Sequence, residues 1–250
     1  MTSICVAAVA ALIASCLSVA SSATAADGPM LVTQAKALAG NVTPGDAAGF
    51  PVTISTPGSY VLAGNLQVPA NVSGFVVTAT EVSIDLNGFR INGNRGTGGI
   101  GIDGHQRNLT VRNGTIRNFT LDGVRSLGAM LIVEDMRIEE NGRMGVYDQA
   151  NGFARIVSST IFGNSASGIQ CGDSCHVEGN IVSSNGFRGV YLTGLGATVL
   201  GNTIFNNLHY GVYALDRPGF GNNTIISNGE FPHGGFFNQL LPNACWPDPC

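Results

Sequence analysis

Between residues 123 and 228 short aliphatic runs alternate with Gly and Asn at a nearly fixed interval. A Gly followed by an aliphatic residue recurs at Gly123-Val124, Gly145-Val146, Gly168-Ile169, Gly189-Val190 and Gly211-Val212, spaced 22, 23, 21 and 22 residues apart. A second column pairs an aliphatic residue with an Asn close behind it: Ile116/Asn118, Ile138/Asn141, Ile161/Asn164, Val182/Asn185, Ile204/Asn207 and Ile225/Asn228. A sparser column holds Asn180, Asn202 and Asn223. Within one interval, as in VYL, ATVL and NTIF after Gly189, apolar and polar residues alternate at the period of a strand. A fixed repeat of about 21–24 residues, each with three short strands, predicts a solenoid. The fold class is all-β, a single-stranded parallel β-helix. Asn at the coil ends suits the left-handed backbone conformation, and stacked at ~4.8 Å such residues can form ladders.

The flanks read differently. Residues 26–50 predict an N-terminal cap, with Leu31, Ala35 and Leu38 on one face of a short helix that stops at Gly40-Asn41. A solenoid needs such a cap because its end coil exposes core and a free strand edge. The β-helix is expected over 51–230. It begins with an irregular coil containing the turn Thr56-Pro57-Gly58, then the strand of Val82, Ile84 and Leu86 and the turn Asn87-Gly88. The next coil repeats this as Leu109, Val111, Asn113-Gly114 and Thr115-Ile116. The segment GNRGTGGIG (93–101) has no helix signal after it, so it reads as a Gly-rich turn and not a phosphate loop. Residues 231–250 predict a C-terminal cap in which Phe231, Phe236, Phe237, Leu240, Leu241 and Trp246 cover the open core.

Composition narrows the class. Only 11% of residues are charged, 35 are Gly, and Lys36 is the single lysine, which does not fit a helical bundle. A net charge of −4 without a basic run excludes nucleic acid as the expected partner. Residues 4–20 are almost wholly apolar, and residues 1–25 read as a signal peptide cut near Ala23-Thr24-Ala25. A lipobox ending at Cys16 is the alternative, giving a lipid anchor there. No later stretch is long enough to span a membrane, so the mature chain is expected to be secreted, periplasmic or at the cell surface, as a monomer. In that setting Cys171 with Cys175, and Cys245 with Cys250, are the expected disulfides; four cysteines allow three connectivities, and a zinc site is the weaker rival.

The segments PGSYVLAGNL, VSIDLNGFRING and VRNGTIRNF resemble those of bacterial right-handed parallel β-helix repeat proteins of the pectate-lyase-like superfamily. NTIFNNLHYGVY is similar to the short copper-maturation-type repeats of that group. The resemblance spans about residues 30–230. It implies right-handed coils, in line with the general crossover preference, and an exported protein that acts on or binds polysaccharide.

In such proteins the site lies on the outer face of a sheet. With Val124, Val146, Ile169, Val190 and Val212 inward, the outward row is Gly101, Arg125, Tyr147, Gln170, Tyr191 and Tyr213. Two residues on stand Asp103, Leu127, Gln149, Gly172, Thr193 and Leu215. Tyr147, Gln149, Gln170, Tyr191 and Tyr213 are the candidate carbohydrate-binding residues, since a tyrosine offers a flat apolar ring and a hydroxyl. A structural aromatic ladder is the alternative reading of Tyr191 and Tyr213. Asp103, His105, Arg125 and Tyr147 are the candidate catalytic group, with Asp103 and Arg125 as diagonal neighbours. Arg125 would hold a uronate carboxylate, and Tyr147 or His105 would carry a proton; a plain surface ion pair is the bland alternative. The acidic triplet that binds calcium in pectate lyases, and the motif sets of polygalacturonases and mannuronan epimerases, are missing from the sequence. No metal or other cofactor is expected, with calcium left open. Asp85, Arg112 and Glu134 read as a charge ladder on another strand, Asp148 as a strand-end residue, Asp173 as part of the cysteine loop, and His209 and His233 as isolated surface or cap residues. The expected function is polysaccharide binding on this face. Lyase, hydrolase or epimerase action there is the alternative, and a ligand-free structural role the second.

Overall fold

The computed structural model describes residues 28–149 and 152–250. The expected signal segment and Cys16 lie outside the described residues. Among these residues no helix is long and apolar enough to cross a membrane.

Each coil contributes a strand to each of three faces. The first face is a nine-stranded parallel sheet: Val52–Ile54, Phe75–Val77, Ile102–Gly104, Val124–Ser126, Val146–Asp148, Ile169–Cys171, Val190–Leu192, Val212–Ala214 and His233–Gly234. The second and third faces form one 17-stranded sheet, continuous because Leu109–Arg117 and Leu131–Glu139 run through the corner between them. All pairings are parallel and in register, for example Ile116↔Ile138↔Ile161↔Val182↔Ile204↔Ile225. One residue type repeated at one position therefore stacks on itself, and the core is a set of aliphatic columns. Val124, Val146, Ile169, Val190 and Val212 are inward and fully buried, as the alternation predicts.

The Asn columns are ladders running through the corners. Asn141, Asn164, Asn185, Asn207 and Asn228 are each buried, and each Oδ1 from Asn164 onward accepts the backbone N–H and the Nδ2 of the preceding Asn. Asn180, Asn202 and Asn223 repeat the device and end on Asn243. The left-handed conformation falls on the residue before each ladder Asn, as at Glu140, Ser184, Asn206 and Ser227, and not on the Asn itself. Asn118 is one of these corner residues, with φ 61. Phe119 takes the ladder position instead, donating its N–H to Asn141 Oδ1 at 3.1 Å. The Gly of the Gly-Val step is part of the same device. A Cβ on Gly145 would sit 2.5 Å from Ile161 Cγ2, 2.6 Å from the Gly168 oxygen and 2.9 Å from Asn164 Nδ2. Only Gly leaves room there for the ladder amide and the next coil.

The N-terminal cap exists, with a different buried face. Met30–Val32 is a strand paired with Gly58–Leu62, and the helix is Gln34–Ala39, capped by Thr33 and ended by Gly40 at φ 75. Val32 and Ala37 are buried, whereas Leu31 and Leu38 are more than half exposed and Ala35 is exposed. Leu31 belongs to the strand, so a single helical period cannot be laid across 31–38. The free edge of the first coil is closed by side chains: Asp46 Oδ1 accepts the Thr53 N–H at 2.7 Å and Thr43 Oγ1 donates to the Thr53 carbonyl at 2.7 Å.

At the other end strand pairing continues past residue 230. His233–Gly234, Asn238–Gln239 and Ala244–Trp246 form one more coil on the three faces. Phe237 packs on the buried Phe220 at 4.6 Å, but Phe231, Phe236, Leu240, Leu241 and Trp246 are exposed and do not cover the core as expected. The disulfides are Cys171–Cys175 and Cys245–Cys250, with Cα separations of 6.1 and 5.6 Å.

Candidate active and carbohydrate-binding face

The outward row of the first face runs parallel to the solenoid axis. Strand register fixes it as Thr53, Val76, Asp103, Arg125, Tyr147, Gln170, Tyr191 and Tyr213, one residue per coil. Asp103 thus stands directly beside Arg125, in the row where Gly101 was expected. The cause is a choice of two Gly-Ile steps in GNRGTGGIG: Ile102, not Ile100, aligns with Val124. The second outward row holds His105, Leu127, Gln149, Thr193 and Leu215, fixed by backbone bonds such as Leu127 N–H to the Gly104 oxygen.

Direct apposition explains the geometry at Asp103. Arg125 donates Nε to Oδ1 at 2.8 Å and Nη2 to Oδ2 at 2.6 Å, a bidentate pair. His105 Nε2 lies 3.0 Å from Oδ2. Asp103 is 6% exposed. Burial pushes its carboxyl up, but the hydrogen bonds from Arg125 and His105 and their charges together outweigh this and hold it below the usual value. Asp103 is therefore an ionised group that orients its neighbours and not a proton donor. The hydrogen bond to Asp103 in turn raises the Arg125 guanidinium above its usual value.

Four groups at the leading edge of this face were not singled out in the sequence. Asp122 is fully buried and takes Arg143 in a second bidentate pair, through Nε at 2.8 Å and through Nη2. Arg143 then lies over the Tyr147 ring, 5.0 Å from its centroid. Arg188 lies 4.3 Å from the ring centroids of Phe187, Tyr191 and Tyr213. Tyr210 packs on Tyr213 at 5.1 Å and on Phe231 at 6.1 Å. Tyr191 and Tyr213 themselves meet edge to face at 5.8 Å. Their common signal is position: Asp122, Arg188 and Tyr210 each precede the Gly of a Gly-aliphatic step, and Arg143 stands two before one.

The face thus has an ionic part, built on Asp103, His105, Arg125, Asp122 and Arg143, and an aromatic part, built on Arg188, Tyr191, Tyr210 and Tyr213. Tyr147 and Gln170 lie between them, and Gln149 is exposed in the second row. Among the described residues no three His, Cys, Asp or Glu side chains converge as a metal-ligand set. A concavity of about 230 Å³ lies elsewhere, at the start of the second face, lined by residues such as Glu81, Asn108 and Met130.

The remaining polar residues fall as follows. Asp85, Arg112 and Glu134 stack in one row of the second face, with Arg112 Nε 3.1 Å from Asp85. Asp148 is buried at the end of its strand. Asp173 accepts the Leu195 N–H in the cysteine loop. His209 and His233 are not isolated: His209 bonds Glu230 and lies 4.4 Å from the Phe187 ring, and His233 packs between Phe220 and Phe237.

Comparison with known proteins agrees with this architecture. No curated protein sequence matches the chain. The periplasmic alginate epimerase AlgG is similar in structure, with a TM-score of 0.54 and 14% identity over 78% of this chain and 56% of that one. The Azotobacter vinelandii mannuronan C-5 epimerase AlgE4 A-module gives 0.48 and 16%, covering 86% of this chain and 66% of that one. Pectate lyase Pel9A gives 0.43 and 12%, covering 86% and 64%. This chain spans roughly half to two thirds of each neighbour, and at 14% identity the likeness to AlgG is one of fold. The family model described as right handed beta helix region matches residues 73–232, well over half of the sequence, and the chain belongs to that family.

Proposed function

We propose that the first face binds an extended polysaccharide laid along the solenoid axis. The observation that carries this reading is the outward row itself: Tyr147, Gln170, Tyr191 and Tyr213 on consecutive coils, repeated every ~4.8 Å. Such a row offers flat rings and hydrogen-bonding groups at regular intervals, which suits a chain of sugar units. The similarity to a fold used by a periplasmic alginate epimerase is in keeping with it. We place the protein outside the cytoplasm, on the strength of its apolar residues 4–20 and two disulfides.

The test is binding to a panel of neutral and acidic polysaccharides by affinity electrophoresis, with and without calcium. Tyr191→Ala with Tyr213→Ala should weaken retention about tenfold, corresponding to the ~1.4 kcal/mol expected of stacked rings. Arg112→Ala, on the second face, should leave retention unchanged. Retention that survives the tyrosine changes would favour a structural aromatic ladder and sink the reading.

A second reading is favoured by one observation, the contact of Asp103 with both Arg125 and His105. Asp103 would orient His105 as the proton carrier beside a cationic Arg125, and the face would cleave or epimerise its polysaccharide. A reducing-end assay and a C5 proton-exchange assay test it. Turnover by the parent chain that His105→Gln abolishes would support it; absence of turnover on every polymer, or full activity in His105→Gln, would reject it.

A further inference from the structure

We infer that Arg188 is an anion anchor, holding the carboxylate of an acidic sugar unit that lies against Tyr191 and Tyr213. This rests on the polysaccharide reading and narrows it to polymers carrying carboxylates.

Three arginines stand along this face and its leading edge. Two of them are already engaged, Arg125 by Asp103 and Arg143 by Asp122, each through both arms of its fork. Among the described residues no carboxylate lies within ion-pair distance of Arg188. Its charge is instead held by three rings at 4.3 Å each. A ring quadrupole fixes a guanidinium in place without neutralising it. The Arg188 Nε is also buried and has no hydrogen-bond partner within the protein. A buried donor left unmade is costly, and a carboxylate that draws the guanidinium partly out from the rings would satisfy it.

The match is to a carboxylate because the free group is planar. A guanidinium presents parallel N–H donors that two oxygens of one carboxylate accept together. The neighbouring tyrosines supply the apolar surface for the ring that bears it. General attraction of a polyanion is not the cause, since the chain carries a net charge of −4. The selectivity therefore rests on one side chain and can be removed with it.

The experiment uses the chain with polygalacturonate and with its carboxyl-reduced, neutral form, followed by calorimetry at low salt. The parent protein should bind the acidic polymer at least about tenfold more tightly. Arg188→Gln should erase that difference by lowering affinity for the acidic polymer more than for the neutral one, and Arg188→Lys should keep part of it. Equal binding of both polymers by the parent protein would overturn the inference alone. So would discrimination that persists in Arg188→Gln, or an equal loss for both polymers, which would make Arg188 a prop for the rings. Binding of neither polymer by the parent protein would overturn the polysaccharide reading as well.

Discussion

Asn206 and Asn207 are adjacent in sequence and opposite in consequence. Asn207 is 1% exposed and belongs to the ladder. Its Oδ1 accepts from Asn185 N at 3.1 Å and Asn185 Nδ2 at 2.9 Å; its Nδ2 donates to Asn228 Oδ1, the Val182 oxygen and the Phe205 oxygen. Alanine removes all five. Several partners keep a second bond: Asn228 Oδ1 still accepts Asn207 N, the Phe205 oxygen still accepts Ser184 N, and Asn185 Nδ2 still reaches the Ile161 oxygen. The Asn185 N–H is left without an acceptor in a buried corner. An orphaned buried donor costs about 1–3 kcal/mol and each other lost bond about 0.5–1.5 kcal/mol net. Asn207→Ala should therefore cost at least about 3 kcal/mol. Asn206 is exposed at φ 55, so Asn206→Gly should fall within about 0.5 kcal/mol of the parent. Equilibrium urea unfolding followed by circular dichroism measures both. A cost below about 0.5 kcal/mol for Asn207→Ala, or equal costs for the pair, would refute the claim that the ladder holds the coils together.

Three further outcomes follow from the same geometry. Asp103 has a lowered folded pKa, so its contribution is present above the ordinary value of 3.8 and lost as pH falls through the folded one; melting curves of Asp103→Asn should show a shallower acid loss than the parent. His233 is lowered by burial, so the neutral ring is favoured in the fold and stability falls as pH drops below the ordinary 6.5. Protection factors of residues 233–246, corrected for the intrinsic pH dependence of amide exchange, should then fall between about pH 7 and 5, and His233→Asn should remove that fall. The Cys171–Cys175 bridge closes a loop of sequence separation 4, for which loop entropy is worth about 2 kcal/mol; an unchanged urea midpoint in the double alanine variant would contradict it.

The fold was legible because its determinants are local and repeated. The Gly-Val steps, the aliphatic columns and the ladder Asn residues each recur at one interval, and parallel in-register stacking converts that interval directly into contact. Where the repeat offers two equally good phases, the reading slips. Gly99-Ile100 and Gly101-Ile102 are such a case, and a two-residue shift moved Asp103 from beside Arg125 to a diagonal position. The terminal segments failed for another reason. Leu31, Leu38, Phe236 and Trp246 are large and apolar yet exposed, because at the ends of a solenoid apolar content does not say which face a residue takes.

The candidate site was only partly legible, and three of the four missed groups, Asp122, Arg188 and Tyr210, share one cause. Residues that precede the Gly of each step, Asp122, Met144, Ser167, Arg188 and Tyr210, lack a common chemistry, so no pattern marks them. Yet their carbonyls are held at one position, each accepting the N–H of the Gly in the preceding coil, from Gly101 to Gly189. The Gly is required by the ladder; the residue before it is positioned by that requirement, and its side chain changes from coil to coil. A column fixed in space and free in chemistry can be filled by an aspartate that clamps Arg143, by an arginine over three rings, or by a tyrosine, without disturbing the core. The fold therefore fills the edge of the proposed binding face from the positions its own repeat leaves blank, and side chains there are best read by coil register and not by sequence motif.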